Sequence, residues 1–222
     1  IGGEVGEVGK KNSTPEEFRA YMDGFLEELD ARSKGGKLRG PSKISVQTGT
    51  THGGIPLPDG TVAEVKIDFD VLEEISRIAR SEYGMAGAVQ HGASTLPVDA
   101  FDHFPRVRAA EVHLATDFQN IVLDHPAFPG DLREQMYAWT DRECASERKP
   151  GWTDEQFHYK TRKKAWGPFK RQVWDVPESI RKELRAALES KFEVLFKKLA
   201  VAGTAGLVRE RVLTREIVKK LS

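Results

Sequence analysis

Residues 86–94 read Ala86-Gly87-Ala88-Val89-Gln90-His91-Gly92-Ala93-Ser94, a short apolar run that opens abruptly into a polar, glycine-bearing turn. Such a run, bounded by turn residues, is expected to be a buried strand. The same pattern stands upstream, where Lys43-Ile44-Ser45-Val46-Gln47-Thr48-Gly49 leads into Thr50-Thr51-His52-Gly53-Gly54. Downstream, Ala110–Ala115 encloses His113 and is followed by Thr116-Asp117. Three strands that end in polar residues at one edge are the mark of a parallel sheet, whose functional loops gather at the carboxyl ends of the strands.

Outward from these runs, helix signals alternate with strand signals. Gly2–Val8 reads as a first strand closed by a glycine turn. Thr14-Pro15-Glu16-Glu17 then supplies a cap, a proline at the first helical position and a glutamate three residues after the cap. Phe18, Met22, Phe25, Leu26 and Leu29 carry that helix to about Ser33. Asp70 is expected to cap a second helix bearing Val71, Leu72, Ile75 and Ile78, stopped at Gly84. Val98–Phe104 and Asp117–Leu123 read as short helices. Residues 1–125 thus hold four strand–helix units, which suit half of a β/α barrel or a doubly wound open sheet; periodicity does not separate the two. Residues 126–222 form a helical extension, with Thr153–Trp166 amphipathic and Pro177–Ala202 a long helix. In that long helix Ile180, Leu184, Leu188, Val194 and Leu195 are expected inward, and Leu213–Leu221 forms a last short helix. Trp139, Trp152, Trp166 and Trp174 are expected to pin these helices together, and the basic run Lys160–Lys164 with Lys170-Arg171 to be a solvated face.

Composition narrows the function. The 222 residues are 39% hydrophobic and carry 34 basic against 34 acidic side chains, so no global field points to nucleic acid or a membrane surface. The longest apolar runs fall far short of the ~20 residues a membrane span needs. The single cysteine, Cys144, rules out an internal disulfide framework, suits a reducing cytoplasmic setting, and reads as a buried, inert thiol. The chain opens Ile1-Gly2-Gly3-Glu4-Val5 in the middle of a strand, and a preceding segment is expected.

Imidazoles projecting from neighbouring strand ends can meet at one divalent metal, and glycines beside them expose backbone N–H groups to an anion. His52 and His91, each followed by glycine, therefore suggest a metal beside a phosphate. His103, His125 and His158 read as surface or packing residues.

The pattern Glu4-Val5-Gly6-Glu7-Val8-Gly9, Thr51-His52-Gly53 and Val89-Gln90-His91-Gly92-Ala93-Ser94 resembles the class II fructose-bisphosphate aldolases over 1–129. That family is a (β/α)8 TIM barrel, and the resemblance implies that this chain is its C-terminal half, strands five to eight, with a helical extension. It implies His52 and His91 as zinc ligands, with Zn2+ or another divalent ion, and Glu4 near an alternate metal position. It implies Gly53, Gly92, Ala93, Ser94, Ala115 and Thr116 around a substrate phosphate, with a monovalent cation possible nearby. The metal would act as a Lewis acid in reversible cleavage of fructose 1,6-bisphosphate to dihydroxyacetone phosphate and glyceraldehyde 3-phosphate. A Schiff base is the other route to this chemistry, but Lys43 and Lys66 do not stand at apolar strand ends. Partners implied are a sugar bisphosphate, the N-terminal half of the barrel and further copies of the chain in a homo-oligomer.

The chain departs from the pattern in three places. The family's eighth strand reads Asn-Ile-Asp-Thr-Asp, where this chain has His113-Leu114-Ala115-Thr116-Asp117. His113 is expected to face the lumen and, as a catalytic residue, to donate a hydrogen bond to substrate as the asparagine would. The proton-transfer loop reads Lys10-Lys11-Asn12-Ser13, without its acid. The Asp-His segment of the family's third strand lies outside the chain. A tagatose-bisphosphate aldolase and a non-catalytic sugar-phosphate-binding barrel are the alternatives.

Overall fold

The computed structural model describes residues 2–6, 11–34, 36, 38–50, 54–59, 62–63 and 66–212. Four parallel strands, β1 (Gly2–Val5), β2 (Lys43–Val46), β3 (Ala88–Gln90) and β4 (Glu111–Val112), pair in the order β1-β2-β3-β4. The helices α1 (Pro15–Ser33) and α2 (Phe69–Tyr83) make the first two crossovers. Two 3-10 turns, Ala93–Thr95 and Val98–Asp102, and the short α3 (His103–Arg106) make the third. The chain is therefore an α/β protein with a parallel four-stranded sheet, as its alternation of signals predicts.

Side-chain alternation gives the sheet two unlike faces. The register aligns Glu4 with Ser45, Ser45 with Val89, and Val89 with Glu111, so these residues share one face. Val5, Ile44, Val46 and Ala88 lie on the other, where they form a buried core with Phe18, Met22, Leu72, Ile75 and Ile78 of α1 and α2. The strands are shorter than their sequence signals, because backbone turns begin early at the functional edge. Gly6, at φ +96, ends β1 where an added Cβ would stand 2.8 Å from Gln47 Cγ and 2.9 Å from Ser13 Oγ. Ser13 ties this edge together: its hydroxyl donates to Val5 O and accepts from Gln47 N, both at 2.9 Å.

The caps show how far local chemistry carries. Thr14 and Glu17 form a reciprocal capping box at the start of α1. At α2 the cap is Asp68, whose side chain accepts from Val71 N at 3.1 Å, and Asp70 sits within the first turn. Asp68 prevails because its backbone is extended, as a cap requires, and because Asn12 Nδ2 donates to its second oxygen at 2.9 Å.

Beyond β4 the chain is helical: α4 (Thr116–Leu123), α5 (Gly130–Glu143), α6 (Asp154–Thr161), α7 (Lys170–Trp174), α8 (Glu178–Lys198) and α9 (Ala205–Arg211), with 3-10 turns at Ala145–Glu147 and Arg162–Trp166. A second core gathers Leu123, Phe128, Leu132, Met136, Ala165, Val176 and Leu184. α8 reaches both cores, placing Leu184 in the second and Leu195 in the first. Val194, expected inward, is exposed, since α8 turns its apolar side at Leu195 toward the sheet domain. Trp139 and Trp166 pack on the second core, whereas Trp174 is exposed with Lys170 over its ring. Cys144 is buried, and burial raises its thiol pKa. Leu213–Leu221 lies outside the described residues. Among the described residues no helix is long and apolar enough to cross a membrane.

Candidate active site

Each strand end contributes to one edge. Gln90 is fully buried at the end of β3; its side chain accepts from Thr48 Oγ1 at 2.7 Å and donates to Thr50 Oγ1 at 3.0 Å. Thr50 Oγ1 in turn donates to His91 O at 2.8 Å. This satisfied network fixes the backbone from which the His91 ring projects. Gly92 follows at φ +71, a conformation that favours glycine, and starts the 3-10 turn Ala93–Thr95. Ser94 Oγ accepts from Ala115 N at 3.0 Å, which joins the Gly92–Ser94 turn to the start of α4.

These segments open on a cavity of about 630 Å³ lined by His91, Gly92, Ser94, His113, Ala115 and Thr116, with Val112, Leu114 and Gln119, and Lys163 from the extension. Ala93, between Gly92 and Ser94, is wholly buried. A smaller cavity of about 270 Å³ lies over the polar sheet face, among Glu4, Lys43, Ser45, His91, Glu111 and His113. The structure thus gathers His91, Gly92, Ala93, Ser94, His113, Ala115, Thr116 and Glu4 at one end of the sheet. His52 and Gly53 lie outside the described residues.

Two carboxylates stand on the open face. Glu4 Oε1 is 3.6 Å from His91 Nδ1 and 3.5 Å from Gln47 Nε2. Glu111 accepts from Lys43 Nζ and lies 3.2 Å from His113 Nε2. The Lys43 contact, and secondarily His113, hold the Glu111 carboxyl below its ordinary range against the opposing effect of burial. The rings of His91 and His113 stack with centroids 4.4 Å apart.

The spacing of His91 and Glu4 is compatible with two ligands of one divalent ion. Ligand atoms at ~2.0–2.2 Å from a tetrahedral centre lie roughly 3.3–3.6 Å from each other, the separation found here. Imidazole nitrogen and carboxylate oxygen are also the right donors. Among the described residues, no cluster of three or more His, Cys, Asp or Glu side chains is arranged to hold a metal.

The extension is part of the site, which its sequence did not reveal. Arg162 is buried and bonds to both oxygens of Asp124, at 2.6 and 2.9 Å, and to Asn120 Oδ1 at 2.6 Å. Asn120 and Asp124 belong to α4 and its cap, so this clamp seats the Arg162–Trp166 turn beside the cavity and brings Lys163 to its wall. Lys160 donates to Gly54 O, and Gln156 Nε2 donates to Pro56 O at 2.9 Å, fixing α6 on the loop after β2. Burial, then the like charges of Lys163 and Lys149, push the Lys160 pKa down. The basic run is therefore only partly a solvated face: Arg162 is buried and Lys160 half-buried, while Lys163 and Lys164 stay exposed. Glu111 carried a signal in the sequence, two residues before His113 and so on the same strand face; Lys163 carried none. The other histidines serve packing or local bonds: His103 stacks on Phe69, His125 Nδ1 accepts from Ala127 N, and His158 pairs with Asp141 at 2.9 Å.

A comparison with protein-family profiles finds no match, and a comparison with curated proteins finds none either. A solved structure from Coccidioides immitis, provisionally named a fructose-1,6-biphosphate aldolase, is similar over 93% of this chain and 54% of that one, with 16% identity and a TM-score of 0.43. The chain spans about half the length of that protein.

Proposed function

We propose that this chain is the metal- and phosphate-bearing half of a β/α-barrel aldolase of class II, cleaving a ketose bisphosphate, with fructose 1,6-bisphosphate the leading substrate. The observation that supports it best is the cavity shared by the Gly92–Ser94 turn, the Ala115–Thr116 start of α4, His91 and Lys163, with Glu4 beside His91 in the adjoining smaller cavity. In this reading a phosphate is held by the Gly92–Ser94 backbone and the Ser94 and Thr116 hydroxyls. Lys163 supplies opposite charge from the other wall. Gly53 and His52 complete the phosphate and metal sets from the loop after β2. A divalent ion such as Zn2+, bound by His91 and Glu4 with His52, supplies Lewis-acid polarisation of a ketone oxygen. The phosphate anchor holds the ligand's carbon chain in one orientation beside that centre, which lowers the entropic part of the barrier. The remaining strands of the barrel come from another segment, and the active form is a homo-oligomer in the cytoplasm.

The test is an aldol-cleavage assay on the intact protein before and after chelation. Chelation should abolish cleavage, zinc or cobalt should restore it, and His91→Ala should lose both metal and turnover. Full activity after complete removal of metal would end this reading.

One observation favours a second reading, sugar-phosphate binding without turnover. From Lys11 to Thr14 each polar side chain is engaged: Lys11 by Glu17, Asn12 by Asp68, Ser13 by the backbone of Val5 and Gln47, and Thr14 in its capping box. Saturable phosphate binding with no cleavage by the metal-loaded protein would decide for it.

A further inference from the structure

His113 is held from two directions. Its Nε2 lies 3.2 Å from Glu111 Oε2, and its ring stacks on His91 with 25° between the planes. The other oxygen of Glu111 accepts from Lys43 Nζ, so one carboxylate bridges a lysine of β2 and the histidine that follows β4. An ionised carboxylate has acceptors only. The ring nitrogen that faces it must therefore carry hydrogen, and a neutral imidazole then keeps its lone pair on the other nitrogen. His113 lines the large cavity, and its Nδ1 has no partner among the described residues.

We infer that Glu111 is a positioning residue that fixes His113 as the Nε2–H tautomer, so that His113 offers the cavity a hydrogen-bond acceptor, Nδ1, for a hydroxyl group of the ligand. This reverses the polarity that an asparagine amide would bring by donating to substrate at that place. The inference rests on the sugar-phosphate reading of the cavity for its ligand class, and on the geometry alone for the tautomer. Lys43 keeps the carboxylate charged and therefore an acceptor; this role needs no change of protonation at His113. The consequence is selectivity for ligands with a hydroxyl donor beside the phosphate-bearing carbon chain.

The tautomer is read by nitrogen NMR of the intact protein with 15N-labelled histidine, and selectivity by the dissociation constants of dihydroxyacetone phosphate and hydroxyacetone phosphate, which lacks the hydroxyl. The wild type should show His113 protonated on Nε2 when neutral and should prefer the hydroxylated probe roughly fivefold, the scale of one hydrogen bond at a half-exposed ring. Glu111→Ala should mix the tautomers and bring the two constants to within about twofold. Neutral His113 protonated on Nδ1 in the wild type overturns the inference even if Glu111→Ala does not fold, and so does equal affinity of the wild type for the two probes. Metal-dependent cleavage together with an Nδ1–H histidine sinks this inference alone. The expected tautomer and selectivity without any cleavage sink the aldolase reading and leave this one standing.

Discussion

At the scale of single residues the site is organised by charges that meet across the sheet. Glu111 shows the sign of the effect. Its folded-state pKa lies below the ordinary value, chiefly because Lys43 donates to it. A carboxyl depressed in this way contributes stability above the unfolded value of ~4.3, and the contribution is lost as pH falls through the lower folded value. The side chain is more than a third exposed, so solvent screening keeps the effect modest. Urea unfolding of wild type and Glu111→Gln should differ at pH 7 and converge near pH 3. A difference that persists undiminished in acid would mean that the Lys43–Glu111 pair does not stabilise the fold.

At the scale of elements, helix starts are set by side chains within four residues, and they were largely legible. The Thr14–Glu17 box and the proline at the first helical position place the beginning of α1 where the sequence puts it. Thr14→Ala should lower stability by about 1 kcal/mol, read as a lower urea midpoint at unchanged slope. No loss at all would mean that packing of Phe18 and Met22 alone holds that end. α2 is capped two residues before its expected cap because the choice between Asp68 and Asp70 depends on Asn12, more than fifty residues earlier. Strand ends were overestimated for a related reason: pairing stops where glycine conformations and Ser13 redirect the backbone, and no local propensity reports that.

At the scale of the whole molecule, α8 binds the helical extension to the sheet. Lys191 pairs with Asp117 of α4 at 2.6 Å, Lys198 with Asp102 at 2.6 Å, and Phe192 stacks on Phe118 at 4.6 Å. Leu184 and Leu195 lie in different cores, roughly 16 Å apart along the helix at ~1.5 Å per residue. Leu184→Ala and Leu195→Ala should each cost about 2–4 kcal/mol. Their combination should be additive within ~0.5 kcal/mol, because they share no partner. Coupling well beyond that in double-mutant unfolding would show that the two cores yield as one.

The sequence by itself determined the alternation of parallel strands and helices, the first helix cap, and the edge at which His91, Gly92, Ser94 and His113 collect. These follow from periods of two and 3.6 and from glycine at turns, all of them interactions within a few residues. Only the tertiary structure decided which charges meet. Lys43 and Glu111 are 68 residues apart and are brought together by strand register. Lys163 reaches the cavity because Arg162, next to it in a run of like charges, is buried against Asp124 and Asn120. A basic run has one composition whether it faces water or a ligand. What separates the cases is a long-range partner that can satisfy a buried guanidinium, and that partner exists only once the chain has folded.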